Sequence, residues 1–207
     1  MIKAVIFDMD GVLIEAKEWH YLALNKALSF FGIEISLNEH QNFFDGLPTK
    51  VKLEALSDDS KLPLELHKLI NRLKQKYTME LVYEKCKPTF HHEFLLDQLK
   101  KEHYLIGLAS NSIRESVFLM LNKANIINYF DLILSNEDVV NAKPDKEIYE
   151  KIIQQFNISP SEALVIEDHD IGVAAAKKAG AHVLKVKNTE EVNFKKIFSE
   201  INRINQL

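Results

Sequence analysis

The stretch AVIFDMDG, residues 4–11, decides the fold of this chain. It joins a short apolar run, residues 4–7, to two aspartates, Asp8 and Asp10. Short runs rich in Val and Ile that end in polar residues are typical of buried parallel strands. Because residues i and i+2 of an extended backbone point the same way, both aspartates are predicted to face one spot. Gly11 lets the chain turn sharply after them, and an acidic turn without function is the alternative.

Further apolar runs along the chain have the same character. Segments with helical spacing of apolar residues separate them, so strands and helices alternate. That alternation predicts an α/β fold with a parallel sheet. The other predicted strands are Tyr104–Ala109, Leu132–Leu134, Ala163–Ile166 and His182–Val186.

The first two predicted strands are separated by about 95 residues. A crossover between parallel strands needs only about a dozen residues, so a segment must be inserted there. Residues 16–83 carry repeated helical stripes of apolar residues and no convincing strand, which predicts a small helical bundle. We therefore divide the chain into a catalytic core, residues 1–15 and 84–207, and an inserted helical domain, residues 16–83.

Composition and charge exclude several classes of protein. The chain has 207 residues, 46% of them hydrophobic and 27% charged, which is ordinary for a soluble globular protein. The net charge is −4, and without a basic cluster neither a nucleic acid nor a membrane surface is an expected partner. No apolar stretch approaches the roughly 18 residues that span a bilayer. Cys86 stands alone and cannot form an internal disulfide, so we expect a cytoplasmic protein.

A second acidic pair, Glu167 and Asp168, ends the fourth predicted strand. The carboxyl ends of parallel strands meet at one edge of a sheet, so these carboxylates should converge with the two aspartates after the first strand. Oxygen ligands without a Cys or a well-placed His suit a hard divalent ion such as Mg²⁺. The alternative is that this pair, or Asp170, caps the helix predicted over residues 171–179.

Two further polar motifs follow the same logic. Ser110-Asn111-Ser112 ends the second strand and opens a helix, which predicts a cradle for a phosphate group, with N-capping by Ser112 as the alternative. Lys143 precedes Pro144, which we place in the first turn of another helix. Lys143 is then free to reach inward, although an ordinary surface lysine is the alternative.

In order and spacing these motifs resemble the four signatures of the haloacid dehalogenase (HAD) superfamily of phosphohydrolases, over essentially the whole chain. The subgroup most similar is that of β-phosphoglucomutase and its phosphatase relatives. The resemblance implies a Rossmann-like core and a helical cap domain inserted after the first strand. The matching segments are Asp8–Leu13, Ser110–Asn111, Lys143–Pro144 and Glu167–Gly180.

The resemblance also implies a mechanism. Asp8 would attack phosphorus and form an aspartyl-phosphate, while Asp10 first protonates the leaving group and later activates water. Lys143 and Ser110 would balance charge on the phosphoryl oxygens, and Asn111 belongs to the same phosphate-binding motif.

The metal site that the resemblance implies consists of oxygen ligands around one Mg²⁺. They are the Asp8 carboxylate, the Asp10 carbonyl and the Asp168 carboxylate, with Glu167 nearby. The function implied is a Mg²⁺-dependent phosphatase that acts on a small phosphorylated metabolite, and we expect a sugar phosphate. We expect a monomer.

Residues of the inserted segment bear on the choice between a phosphatase and other functions. His20 keeps a histidine position of the mutases, whereas Thr49 stands where those enzymes grip a second phosphate with arginine. Lys50 is the residue that could compensate, so His20 and Lys50 are candidate substrate-binding residues. A sugar phosphomutase is the first alternative function, and a phosphate-binding regulatory protein without turnover is the second.

Overall fold

The computed structural model describes residues 1–58 and 62–206, with only the backbone of Gln41. These residues form two compact units, Met1–Glu15 with Lys87 onward, and Ala16–Cys86. The second unit begins where the inserted segment was predicted to begin. It continues past residue 83 because its last helix ends only at Lys85. Residues 59–61 of the predicted insertion lie outside the described part.

The first unit contains a five-stranded sheet in which every pairing is parallel. The strand order is β3-β2-β1-β4-β5, so the strand that precedes Asp8 lies at the centre. All four residues of β1 are buried, as expected of a strand covered on both faces. The α/β prediction is confirmed. The strands are β1 Ala4–Phe7, β2 Leu105–Ala109, β3 Leu132–Leu134, β4 Ala163–Glu167 and β5 His182–Lys185.

The helices divide between the two units. In the second unit they are α1 Lys17–Ser29, α2 Leu37–Glu39, α3 Thr49–Asp58 and α4 His67–Lys85, with a π-helical turn at His40–Phe44. In the first unit they are α5 Phe90–Lys101, α6 Arg114–Lys123, α7 Glu147–Gln155, α8 Asp170–Lys178 and α9 Phe194–Asn205. In the described part of the chain, none of these helices is long and apolar enough to cross a membrane.

One apolar core lies between the sheet and two helices, α7 and α8. Ile6 and Val165 from the central strands pack there with Ile152 and Tyr149 of α7. Gly107 of β2 makes the close approach possible, because a Cβ at this position would lie 3.0 Å from the Ile152 side chain. This packing fixes α7 and α8 against the strands whose carboxyl ends carry the acidic residues.

The second unit has a core of its own. Leu24 and Leu28 of α1 pack with Leu53 of α3 and Ile70 of α4. Leu24 and Leu28 are four residues apart, which places them on one face of α1. The prediction that this segment is a helical bundle agrees with the structure, and its role as a cap stays a prediction.

Two predicted helix starts are wrong. Pro144 does not lie in a first turn, because α7 begins at Glu147, and Asp145 accepts a hydrogen bond from the Glu147 N–H at 2.9 Å. Helix α6 begins at Arg114, so Ser112 is not its N-cap.

The cap of α8 also differs from the alternatives considered. Neither Asp168 nor Asp170 caps it. The N-cap is His169, whose Nδ1 accepts from the Ile171 N–H at 3.3 Å.

Candidate active site

A buried lysine lies at the centre of the predicted acidic cluster. The Lys143 Nζ atom is 2.7 Å from Asp8 Oδ1 and 2.7 Å from Glu167 Oε1. It also donates to the carbonyl of Ala109 at 2.9 Å. Its three donors therefore reach the carboxyl ends of β1, β2 and β4. Only 3% of the Lys143 side chain is exposed, which excludes the surface-lysine alternative.

The charges in this cluster influence one another strongly. Burial raises the pKa of Asp8 well above its usual range; Lys143 lowers it, while Glu167, Asp168 and Asp10 raise it further. Burial lowers the pKa of Lys143, but the carboxylates of Asp8 and Glu167 outweigh this, so the net shift is upward. One ammonium thus lies among four carboxylates, a site that favours additional positive charge.

Three of these carboxylates could hold a metal ion together. Asp8, Glu167 and Asp168 each offer one oxygen, and these atoms lie within 4.8 Å of one another. Oxygen-only donors at a buried site are the set that Mg²⁺ prefers. The residues present therefore fit the ion that the sequence predicted.

The chain turns sharply between Asp8 and the second unit. Gly11 has a φ of 86°, a conformation that favours glycine. Its N–H donates to the carbonyl of Ile14 at 2.7 Å, while the carbonyl of Met9 accepts from Leu13 at 2.9 Å. This tight turn fixes the backbone on both sides of Asp10.

The predicted phosphate cradle is held by hydrogen bonds rather than by a helix end. Ser110 is fully buried, and its Oγ accepts from the Ser112 N–H at 3.0 Å. The Ser112 hydroxyl donates to Asp10 Oδ2 at 2.9 Å. Ser112 therefore acts on Asp10, a contact between residues 102 positions apart that local sequence cannot reveal.

The side chain of Asn111 fixes the backbone of Lys143. Its Oδ1 accepts from the Lys143 N–H at 3.1 Å, and its Nδ2 donates to the Lys143 carbonyl at 3.3 Å. Asn136, after β3, donates to the Asn111 carbonyl at 2.9 Å. The Asn111 amide thus joins two loops of the site, in addition to the phosphate contact predicted for it.

The two candidate substrate-binding residues of the second unit, His20 and Lys50, differ in their surroundings. His20 Nδ1 lies 3.2 Å from the Nζ atom of Lys74, which is buried. Lys50 is the opposite case, because 84% of its side chain is exposed and it lies 3.8 Å from Glu54. The structure thus gives Lys50 the surroundings of a solvated lysine.

The sequence patterns did not reveal that Lys52 and Lys74 of the second unit are buried. Lys52 is 6% exposed, and its Nζ lies 3.4 Å from His40 Nε2. Burial lowers the pKa of His40 to about 4, and Lys52 lowers it too, so His40 is neutral at pH 7. A signal did exist for Lys74, which lies four residues after Ile70 on the apolar stripe of α4.

Comparisons of the sequence and the fold with known proteins point to one family. A sequence-family profile described as haloacid dehalogenase-like hydrolase matches residues 5–186. The β-phosphoglucomutase of Bacillus subtilis is 30% identical over 193 residues, covering 89% of this chain and 83% of that protein. The phosphorylated carbohydrates phosphatase of Thermotoga maritima is 29% identical over 184 residues, covering 86% and 82%. The crystal structure of a β-phosphoglucomutase from Clostridium difficile superimposes with a TM-score of 0.84 and 26% identity, covering 100% of both chains.

Proposed function

Because this chain belongs to the haloacid dehalogenase-like hydrolases, we propose that it is a Mg²⁺-dependent phosphatase acting on a small phosphorylated metabolite. The observation that carries the proposal is the 2.7 Å contact of Lys143 with Asp8. A carboxylate next to a buried, fixed positive charge is poised to act as a nucleophile toward an anionic phosphate ester. Its position at the carboxyl end of the central strand is where parallel α/β sheets bind ligands.

The proposed reaction has two displacement steps at phosphorus. An oxygen of Asp8 attacks, the bond to the ester oxygen breaks, and Asp10 gives a proton to the departing alkoxide. Water then attacks the aspartyl-phosphate while Asp10 takes its proton. The bond from phosphorus to Asp8 breaks and inorganic phosphate leaves. Lys143 and the Ser110 hydroxyl offset charge on the phosphoryl oxygens throughout.

The metal would be held by residues already brought together. The carboxylates of Asp8 and Asp168 and the carbonyl of Asp10 are the proposed ligands, with Glu167 nearby; the cluster of carboxylate oxygens supports this. When bound, the ion supplies positive charge to the phosphoryl oxygens. The protein's own part is to orient Asp8, which Lys143 does through its contacts to Asp8 and Glu167.

Sugar phosphates are the substrates to test first. The relatives include proteins described as a phosphorylated carbohydrates phosphatase and a fructose-1-phosphate phosphatase. We assign the helical unit the role of cap, with His20 as a candidate contact to the substrate.

A sugar phosphomutase is the second candidate, because this chain is about as similar to β-phosphoglucomutases as it is to the phosphatases among its relatives. A mutase must hold a second phosphate, yet Thr49 replaces the expected arginine, and Lys50 is solvent-exposed. We therefore favour hydrolysis.

A phosphorus NMR time course separates the candidates. The enzyme is mixed with Mg²⁺, β-glucose 1-phosphate and a trace of glucose 1,6-bisphosphate, and a panel of sugar phosphates is run in parallel. We expect release of inorganic phosphate from at least one member of the panel. Rapid formation of glucose 6-phosphate without phosphate release would instead establish the mutase. No turnover of any phosphate ester would favour the regulatory protein.

A further inference from the structure

Tyr149 of α7 is a fully buried residue that the mechanism above does not use. Its hydroxyl donates a hydrogen bond to Glu167 Oε1. Its ring lies beneath the Lys143 ammonium, with 4.9 Å between Nζ and the ring centroid. One side chain therefore contacts both partners in an ion pair of the candidate active site.

The hydroxyl is not needed to fill the core. Tyr149 belongs to the apolar cluster that contains Ile148 and Ile152, where a phenylalanine ring would occupy nearly the same volume. Burying a phenol hydroxyl costs free energy unless a partner accepts its hydrogen bond. Among the described residues, only Glu167 accepts a hydrogen bond from this hydroxyl, so the role of the hydroxyl concerns Glu167.

Glu167 is held from several sides. Its Oε1 accepts from both Tyr149 and Lys143, and the side chain is 2% exposed. On another side lies Gly172 of α8, where a Cβ would come within 1.8 Å of Oε1. The carboxylate therefore packs directly against the first turn of α8, and the phenol hydroxyl restrains it from α7.

The ring restrains the other partner. A cation over an aromatic face is attracted by the ring quadrupole, more strongly when water is excluded. Lys143 is buried, so this contact adds to its hydrogen bonds with Asp8 and Glu167. Loss of the ring and loss of the hydroxyl should thus have separable effects.

We propose that Tyr149 is a positioning residue: its hydroxyl orients Glu167, and its ring orients Lys143, so that both are in place around Asp8. Its effect on turnover rests on the proposed function, and its effect on Mg²⁺ affinity rests on the metal site proposed there, in which Glu167 lies beside the ligands. Groups behind the carboxylates of a metal site tune its affinity for the metal.

The test begins with Tyr149→Phe, which keeps the ring and removes the hydroxyl. We expect the Kd for Mg²⁺, measured by isothermal titration calorimetry without substrate, to rise about tenfold. We expect kcat for the best phosphate ester to fall about tenfold while KM changes less than twofold. Tyr149→Leu also removes the ring and should lower kcat further. Tyr104→Phe is the matched control, a half-buried tyrosine beside β2 that should leave both constants unchanged.

A Tyr149→Phe protein with the circular dichroism of the wild type and with Kd and kcat within twofold of it would overturn the proposal. Incorporation of 4-aminophenylalanine at position 149 keeps the ring and restores a donor, and it should recover most of the Mg²⁺ affinity. If Tyr149→Phe does not fold, this amino variant is compared with the wild type directly, and a tenfold loss of affinity despite the restored donor would overturn the proposal. Wild-type protein that binds Mg²⁺ but hydrolyses no phosphate ester would contradict the proposed function alone.

Discussion

The hydroxyl of Ser112 donates a hydrogen bond to the carboxylate of Asp10 at 2.9 Å. This contact orients one carboxylate oxygen of Asp10. The tight turn at Gly11 fixes the backbone around Asp10. A residue proposed to move protons in both steps is therefore oriented from two sides. Ser112 and Asp10 should behave as one functional pair.

That pairing predicts a shared signature for two variants. Asp10→Asn removes the acid and should lower kcat most for sugar phosphates, whose alkoxide leaving group needs a proton. Ser112→Ala should show the same preference in weaker form, about tenfold for a sugar phosphate and less than twofold for p-nitrophenyl phosphate. Steady-state rates on the two substrates give the comparison. Equal losses on both would mean that Asp10 shapes the site without transferring the proton.

Asp8→Asn should abolish turnover and leave the fold intact. An amide is a far poorer nucleophile than a carboxylate, so we expect kcat to fall by at least about a thousandfold. Circular dichroism should match the wild type, since the amide can still occupy the space next to Lys143. Asp97→Asn, a change at an exposed ion pair with Lys101, is the control and should have no effect. Activity of Asp8→Asn within tenfold of the wild type would rule out this nucleophile.

Metal removal should stop the reaction. After exhaustive treatment with a chelator we expect no turnover, with recovery on adding Mg²⁺ or Mn²⁺, because the cluster offers only oxygen ligands. Ca²⁺ should inhibit, since it accepts a looser geometry and longer ligand distances. Zn²⁺ should not be required. Full activity in the chelated protein would contradict a metal at Asp8, Glu167 and Asp168.

Two lysines of α3 provide a matched pair for testing the cap role proposed for the helical unit. Lys50→Ala should change KM less than twofold, because its side chain is exposed and close to Glu54. Lys52→Met should raise KM about tenfold, because a buried ammonium in a helical unit is a candidate for binding an anionic substrate. The measurement is KM for the best substrate of the panel. The reverse order of effects would restore the role that the sequence assigned to Lys50.

Acid should destabilise the first unit through His92. Burial lowers the pKa of His92 to about 4, although its hydrogen bond to the Thr189 carbonyl at 3.0 Å opposes this. Below pH 6.5 the unfolded chain binds a proton at this histidine, whereas the folded chain does not. The contribution of His92 to the free energy of unfolding is therefore largest above that pH and falls toward pH 4. The loss can reach about 3 kcal/mol. Urea unfolding at pH 7 and 4.5 measures it, and His92→Gln should reduce the difference; an unchanged difference would exclude His92 as its source.

The strands and the acidic cluster could be predicted because both depend on local pattern. Runs such as Ala4–Phe7 and Leu132–Leu134 are the strands of the structure to the residue. The polar residues just after a strand must lie at one edge of a parallel sheet, which is why Asp8 and Glu167 could be placed together.

The other features of the site depend on contacts that no local sequence pattern encodes. Asn111 binds the backbone of a residue 32 positions away, and the amphipathic spacing of α3 gives no reason to choose Lys52 over Lys50 as the buried lysine. The misplaced start of α7 has a similar cause. A proline that suits a first helical turn also suits the turn before it, and the hydrogen bond of Asp145 decides between them.

Gly172 is an exception to a common rule of protein stabilisation. Alanine is the better helix former, and glycine within a helix costs roughly 0.5–1 kcal/mol relative to it. A Cβ there would nevertheless occupy the space of the Glu167 carboxylate. Displacing that carboxylate would take a partner from the buried Lys143 ammonium and the Tyr149 hydroxyl, which costs more than the helix gains. Replacing helical glycines with alanine is a common route to thermostability, but at this position it should lower stability and turnover together.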